Sequence, residues 1–162
     1  EDPYLAGELA SAYIDGVQSK GVGVSLKHFA LNNKESNRKD SDSHCSERAI
    51  REIYLKAYEL IVRDDDPWSI MSSYNIINGH RASENKDMLT GILREEWGYG
   101  GMVTTDWWTL GEHYKEAAAG NDMKMGAGYP ERLLEALGQG LITRGEMEAC
   151  AKRILGLILK LD

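Results

Sequence analysis

Several things are scarce or missing in this chain, and each absence removes a class of function. Lysine and arginine do not exceed the acids: 19 bases face 26 acids, for a net charge of -7. That balance leaves no basic footprint for nucleic acid or for an anionic membrane surface. No apolar run approaches the roughly 18 residues that a membrane-spanning helix requires. No strand-like run is followed by G-x-G-x-x-G or a Walker pattern, which argues against a nucleotide-binding fold. The histidines at 28, 44, 80 and 113 do not fall at metal-ligand spacing on one helix, so no metal and no cofactor is expected. Cys45 and Cys150 are the only cysteines and lie far apart. They read as two free thiols, which fits a reducing compartment such as the cytoplasm, although the spacing leaves a single disulfide open. No signal peptide precedes the first element and no Met starts the chain. The opening Glu1-Asp2-Pro3 already stands at the edge of a helix, as expected of a piece of a longer protein.

What is present alternates regularly. Asp2 and Pro3 start a helix in which Leu5, Ala6, Leu9, Ala10, Tyr13 and Val17 share one face, and Gly21 stops it. Val22–Leu26 predicts a strand ending in Lys27-His28-Phe29, followed by a charged, aperiodic loop to about Ser43. A second helix over 47–62 carries Ile50, Ile53, Tyr54, Ala57, Tyr58 and Ile61 on one face and breaks at Pro67. Strands are expected at 68–73, ending in Tyr74-Asn75, and at the run before Asp106. A shorter one is expected at 121–125. Asn78-Gly79 marks a turn. Helices are expected over 87–97, about 110–119 and 130–139. The last helix begins at a Thr143–Glu146 capping box and carries Met147, Cys150, Ala151, Ile154, Leu157, Ile158 and Leu161 as a stripe.

Such alternation means right-handed βαβ units on a parallel sheet. Polar and aromatic groups recur just after the strands: Lys27-His28, Tyr74-Asn75, Asp106-Trp107-Trp108 and the Met125-Gly126 turn. Reactive groups gathered at the C-terminal ends of parallel strands are the logic of a (β/α)8 barrel, which needs eight units and about 250 residues. Four units are visible here, so the fold class is α/β, with parallel (β/α) units forming about half of a TIM-type barrel. Residues 1–162 then make one partial catalytic domain.

Asp106 is the most informative residue. It terminates the apolar, β-branched run Met102-Val103-Thr104-Thr105 and is followed by two tryptophans. A carboxylate beside aromatic rings suits a sugar site, where the apolar ring face packs on an aromatic side chain. The local pattern alone equally fits an Asp that caps the next helix.

Six ordered segments carry a resemblance. They are Glu1-Asp2-Pro3-Tyr4-Leu5-Ala6-Gly7, Lys27-His28-Phe29-Ala30-Leu31-Asn32-Asn33-Lys34-Glu35, and Glu47-Arg48-Ala49-Ile50-Arg51-Glu52-Ile53-Tyr54-Leu55. Met71-Ser72-Ser73-Tyr74-Asn75 with Asn78-Gly79, Gly101 to Trp107, and Ala119-Gly120-Asn121-Asp122-Met123 complete the set. Together they resemble the catalytic barrel of glycoside hydrolase family 3, in the part read as its C-terminal half. The resemblance implies a retaining β-glycosidase, a β-glucosidase in the first place, acting on terminal β-D-glucosyl residues of a glucoside or oligosaccharide. Asp106 would be the nucleophile that forms a covalent glycosyl-enzyme. Lys27 and His28 would hydrogen-bond sugar hydroxyls, and Lys27 would keep Asp106 ionised. Tyr74 would donate to the nucleophile or toward the ring oxygen. Trp107 would pack on the sugar and Met71 would line the same subsite.

The acid/base is not identified by the resemblance and is expected outside this chain; Glu35 and Glu84 are the in-chain carboxylates considered for it. Asp42-Ser43-His44 resembles the triplet of the family's N-acetylglucosaminidase branch. The glucosidase form Ala30-Leu31-Asn32-Asn33 beside it makes the triplet a coincidence. Expected partners are the missing barrel half and an α/β-sandwich domain, or a second copy. The alternatives are a β-xylosidase, a non-catalytic sugar-binding or structural fragment, and an unrelated α/β enzyme such as a metal-dependent hydrolase.

Overall fold

The computed structural model describes residues 2–126 and 128–162; Glu1, which opens the first motif, lies outside them. Helix α1 spans Pro3–Gln18. The Asp2 carboxylate accepts from the Tyr4 and Leu5 amides at 2.9 and 3.0 Å, as an N-cap should. Strand β1 is Ser25–Phe29 and β2 is Asp42–Ser43. Helix α2, Glu47–Ala49, runs through a π-helical turn, Ile50–Tyr54, into α3, Lys56–Asp65. Strands β3 (Ser69–Ser72), β4 (Ile76–Ile77) and β5 (His80–Arg81) follow, then a π-helical segment at Asp87–Glu96. The remainder is β6 (Met102–Thr105), α4 (His113–Ala119), α5 (Pro130–Gly138) and α6 (Arg144–Leu161).

Strands β1, β3 and β6 form a parallel sheet in that order, so neighbours in the chain are neighbours in space. This is the succession a barrel wall requires. Register places Leu26, Ile70 and Val103 in one row and Lys27, Met71 and Thr104 in the next. Alternation sends the two rows to opposite faces. The first row packs on the helices, in a core with Leu55, Val62, Leu89, Leu93 and Tyr99. Phe29 anchors it, with Tyr58 and Trp97 edge-on at 5.2 and 6.2 Å. The second row looks into the concave side, where Lys27 is exposed and Met71 half-buried.

Four expectations are corrected. The first strand starts at Ser25, not Val22, because pairing begins only where the Ser69 amide donates to Val24 O at 3.0 Å. Gly23 lies flat on Trp68 just before, where a Cβ would stand 2.7 Å from the indole. Lys27 and His28 are therefore inside the strand rather than after it. The second helix widens where the Leu55 amide reaches back to Ile50 O at 2.8 Å. That extra residue in the turn rotates the face, burying Leu55 and exposing Ile53 and Tyr54. The fourth strand is reduced to one parallel bridge, Thr104 to Met123. There the Asp122 carboxylate, rather than a backbone carbonyl, accepts the Val103 amide at 2.8 Å. Helix α1, lastly, packs on α3 through Gly7 and Ile14, and of the predicted stripe only Ala10 and Val17 are half-buried beside them. A Cβ at Gly7 would meet Leu60 Cδ1 at 2.8 Å, so the small residue sets the approach. Leu5, Leu9 and Tyr13 stay exposed, as do Ile158 and Leu161 of the α6 stripe and Leu155 and Leu159 beside it. Exposed apolar rows of this kind mark contact surfaces.

Among the described residues no helix is long and apolar enough to cross a membrane. No three His, Cys, Asp or Glu side chains gather as a metal site among them. Cys45 and Cys150 are free thiols, and burial pushes Cys150 up to about 11.

Candidate active site

Strand β6 continues its ladder one step past its end: the Asp106 amide donates to Ser72 O at 3.1 Å. This seats Asp106 at the C-terminal edge of the sheet, 8% exposed. The helix-cap reading fails, since α4 begins only at His113, with Glu112 in the cap position. Asp106 Oδ1 instead accepts the Trp107 amide at 2.7 Å, while Oδ2 faces His28 Nε2 at 3.4 Å. Burial lowers the His28 pKa, Asp106 raises it, and Lys27 and Arg38 lower it further. With desolvation the largest of these, the imidazole is neutral near pH 7 and faces Asp106 as a dipole. Both the Lys27–His28 and the Phe29–Ala30 peptides are cis.

The other expected residues surround this pair. Lys27 and Met71 are register partners on the open face. Among the described residues it is His28, not Lys27, that comes within ion-pair distance of Asp106. The Tyr74 hydroxyl donates to the Trp107 carbonyl at 2.5 Å and also stands within hydrogen-bonding reach of the Asp106 carboxylate. Burial first, and then the Asp106 charge, push its pKa up. Trp107, the residue after Asp106, is 44% exposed. Glu35 pairs with Arg38 at 3.1 Å, and Glu84 accepts the Glu112 amide at 2.6 Å. His44 and Asp42 do meet, at 3.1 Å, but His44 faces a hollow lined by Leu31, Asn33 and Cys45. Glu47, Arg48, Arg51 and Glu52 form the expected outer network, which Arg51 extends to Glu96 at 2.7 Å.

Several contributors are not legible from the motifs. The loop after β1 is held over the site: Arg81 donates to Lys39 O at 2.8 Å and pairs with Asp40 at 3.2 Å. Arg38 and Lys39 stand 5.0 and 5.2 Å from the Tyr74 ring centroid. Behind the loop that follows Asp106 lies a buried ion pair, Lys124 Nζ to Glu116 Oε2 at 2.6 Å. Lys124 also donates to Thr109 Oγ1 at 2.9 Å and Gly111 O at 3.2 Å, and Ser83 donates to Glu116 at 2.9 Å. Asp122 is fully buried between Arg94 at 3.0 Å and Arg153 at 2.7 Å. The available signal was a charge in apolar company: Glu116 before three alanines, Lys124 between two methionines.

A cleft of about 720 Å3 lies at the opposite end of the strands, between Trp68, Gly101 and α6. It is far from the carboxylate chemistry. A hollow of about 580 Å3 includes Lys27, His28, Asn32 and Asn33 together with Tyr54 and Tyr58. Chemically, the site offers a buried carboxylate, a neutral imidazole, an ammonium and aromatic faces on one concave surface.

A parallel (β/α) wall with such a group at its C-terminal edge is a segment of a barrel-type enzyme domain. The family model for the Glycosyl hydrolase family 3 N terminal domain matches residues 1–157. The chain is 60% identical over 148 residues to beta-glucosidase A of Butyrivibrio fibrisolvens, covering 91% of this chain and 18% of that protein. It is 45% identical over 161 residues to an exo-alpha-(1->6)-L-arabinopyranosidase of Bifidobacterium longum, covering 99% and 21%. Beta-glucosidase 3B of Thermotoga neapolitana, solved with glucose, superposes with a TM-score of 0.95 at 41% identity, covering 99% of this chain and 24% of that one. The chain belongs to glycosyl hydrolase family 3, and the matched model is that of the family's N-terminal domain. It spans about a fifth of the length of the curated relatives it matches.

Proposed function

We propose that this chain carries the nucleophile subsite of a retaining β-glucosidase. The observation that supports this most strongly is the seat of Asp106, nearly buried at the end of β6 with the His28 imidazole 3.4 Å from one oxygen. In this reading Asp106 Oδ2 attacks the anomeric carbon. The C1–O bond breaks with its electron pair leaving on the aglycone, and a glycosyl ester forms on Asp106. Lys27 and His28 hold sugar hydroxyls, Met71 lines the floor and Trp107 packs on the ring. Tyr74 acts through the Trp107 carbonyl, fixing the peptide that the nucleophile itself anchors. The proton for the leaving oxygen comes from a carboxyl group outside these residues, about 5–5.5 Å from Asp106 in a retaining layout.

The remaining barrel half and an α/β-sandwich domain are the partners this reading calls for, and the open rows on α1 and α6 support it. A second copy is the other candidate cover. The names of the relatives favour a β-D-glucosyl glycone, and the arabinopyranosidase at 45% identity supports a pentopyranoside, the class that also contains β-xylosides, as the second reading.

The test is intact-mass labelling with 2,4-dinitrophenyl 2-deoxy-2-fluoro-β-glucoside, whose leaving group departs without acid assistance. One glycosyl adduct mapped to Asp106, absent in Asp106→Ala, is expected. A folded chain without adduct makes this a structural fragment rather than a working subsite.

A further inference from the structure

Strand β1 carries one residue more than its partner β3. The Ser69 amide donates to Val24 O at 3.0 Å and the Ser73 amide to Phe29 O at 2.8 Å. The donors are four residues apart in the chain and their acceptors five. The register accordingly passes from Lys27 opposite Met71 to Phe29 opposite Ser72, with His28 left over. In regular alternation His28 would face the helix side of the sheet, opposite to Lys27. A bulge re-aims a side chain, and here it turns the imidazole to the C-terminal edge, where Nε2 lies 3.4 Å from Asp106 Oδ2.

The same shift takes the His28 carbonyl out of the ladder, since the Ser73 amide that regular pairing would give it goes to Phe29 instead. A carbonyl set into the interior needs another donor. Tyr58, in the first turn of α3, supplies it: its hydroxyl donates to His28 O at 2.7 Å. The ring is pinned edge-on against the buried Phe29, with centroids 5.2 Å apart at 85°. Burial pushes the phenol up to about 12, so it keeps its proton, and its donor role, throughout the neutral range. All of these contacts are internal to β1, β3 and α3.

We infer that Tyr58 is a positioning residue for the reacting centre: its hydroxyl fixes the bulge at His28 and so holds the imidazole against the Asp106 carboxylate. It touches no sugar and acts through His28 alone. Its bearing on catalysis rests on the nucleophile reading of Asp106, whereas its hold on His28 is testable without turnover.

The test reads the coupling between His28 and Asp106. The His28 pKa is measured from its imidazole proton resonances in the full chain, with and without Asp106→Asn, in wild type and in Tyr58→Phe. Asp106 raises the His28 pKa, so Asp106→Asn lowers it in the wild-type background. Coulombic coupling varies inversely with separation, so an imidazole that swings to about twice its distance loses about half of it. In the Tyr58→Phe background the downward shift is therefore expected to shrink to roughly half or less. Replacing Tyr58 with para-aminophenylalanine, which sets an N–H donor where the hydroxyl was, is expected to restore the full shift. A shift of wild-type size in Tyr58→Phe, whatever happens to its urea midpoint, makes Tyr58 a packing residue and overturns the inference. So does a para-aminophenylalanine chain that stays at the Tyr58→Phe value. A wild-type chain that forms no glycosyl adduct with the dinitrophenyl fluoroglucoside, while the shift shrinks as expected, overturns the nucleophile reading and leaves the hold of Tyr58 on His28 standing.

Discussion

Lys124→Met is the perturbation that most sharply probes how the loop after Asp106 is held. Lys124 and Glu116 are 4% and 0% exposed in their side chains and 2.6 Å apart. At an effective dielectric constant of 20 their gross attraction is about 6 kcal/mol, much of it offset by desolvating both ions. Removing the lysine alone leaves Glu116 buried as a carboxylate with only the Ser83 hydroxyl on its other oxygen. It also orphans Thr109 and the Gly111 carbonyl. The expected loss is about 3–5 kcal/mol. With a urea dependence of roughly 2 kcal/mol/M, the unfolding midpoint falls by about 1.5–2.5 M, read from tryptophan emission. Lys124→Met combined with Glu116→Gln removes both charges and recovers about half of that loss. A single variant within 1 kcal/mol of wild type, or a double variant as destabilised as the sum of the singles, refutes the buried-pair account.

Other outcomes follow from the same contacts. Burial lowers the His28 pKa below its ordinary value near 6.5, so the unfolded chain takes up this proton first as pH falls. Its contribution to stability is present above 6.5 and is lost on acidification toward the lowered folded value. The imidazole proton resonances should titrate below 6.5, and lower still in Asp106→Asn, which removes the charge that raises the pKa. A His28 pKa that rises in that variant contradicts the geometry. Thr143→Ala removes the side-chain half of a complete capping box and should cost about 1 kcal/mol in urea unfolding. An unchanged midpoint would mean that the start of α6 contributes nothing to folding.

Much of the wall and of the site could be read in advance because local chemistry and tertiary need coincide. Thr143 and Glu146 cap a helix wherever they stand, and Met102–Thr105 has no alternative to a buried strand. What could not be read depends on neighbours distant in sequence. Helix α1 offers two candidate faces, and only the approach of Leu60 over Gly7 selects the one without Leu5 and Leu9. The π-turn at Ile50–Tyr54 leaves no mark in residue spacing, yet it decides whether Tyr54 or Leu55 is buried. The reduction of the fourth strand follows from Asp122 taking a ladder position and two arginines at once. Asp106, His28, Tyr74 and Trp107 lie near one another at the end of the sheet, whereas Lys124 and Trp108 are set by contacts to residues that precede or follow them by many positions.

The most direct test of the central claim removes the nucleophile and replaces it from solution. Asp106→Gly is incubated with 2,4-dinitrophenyl β-glucoside and azide, and the product is identified by proton NMR. Attack by azide from the face that Asp106 occupied gives α-glucosyl azide and restores release of dinitrophenolate. A variant that keeps wild-type turnover without azide, or whose azide product has the β configuration, contradicts Asp106 as the nucleophile.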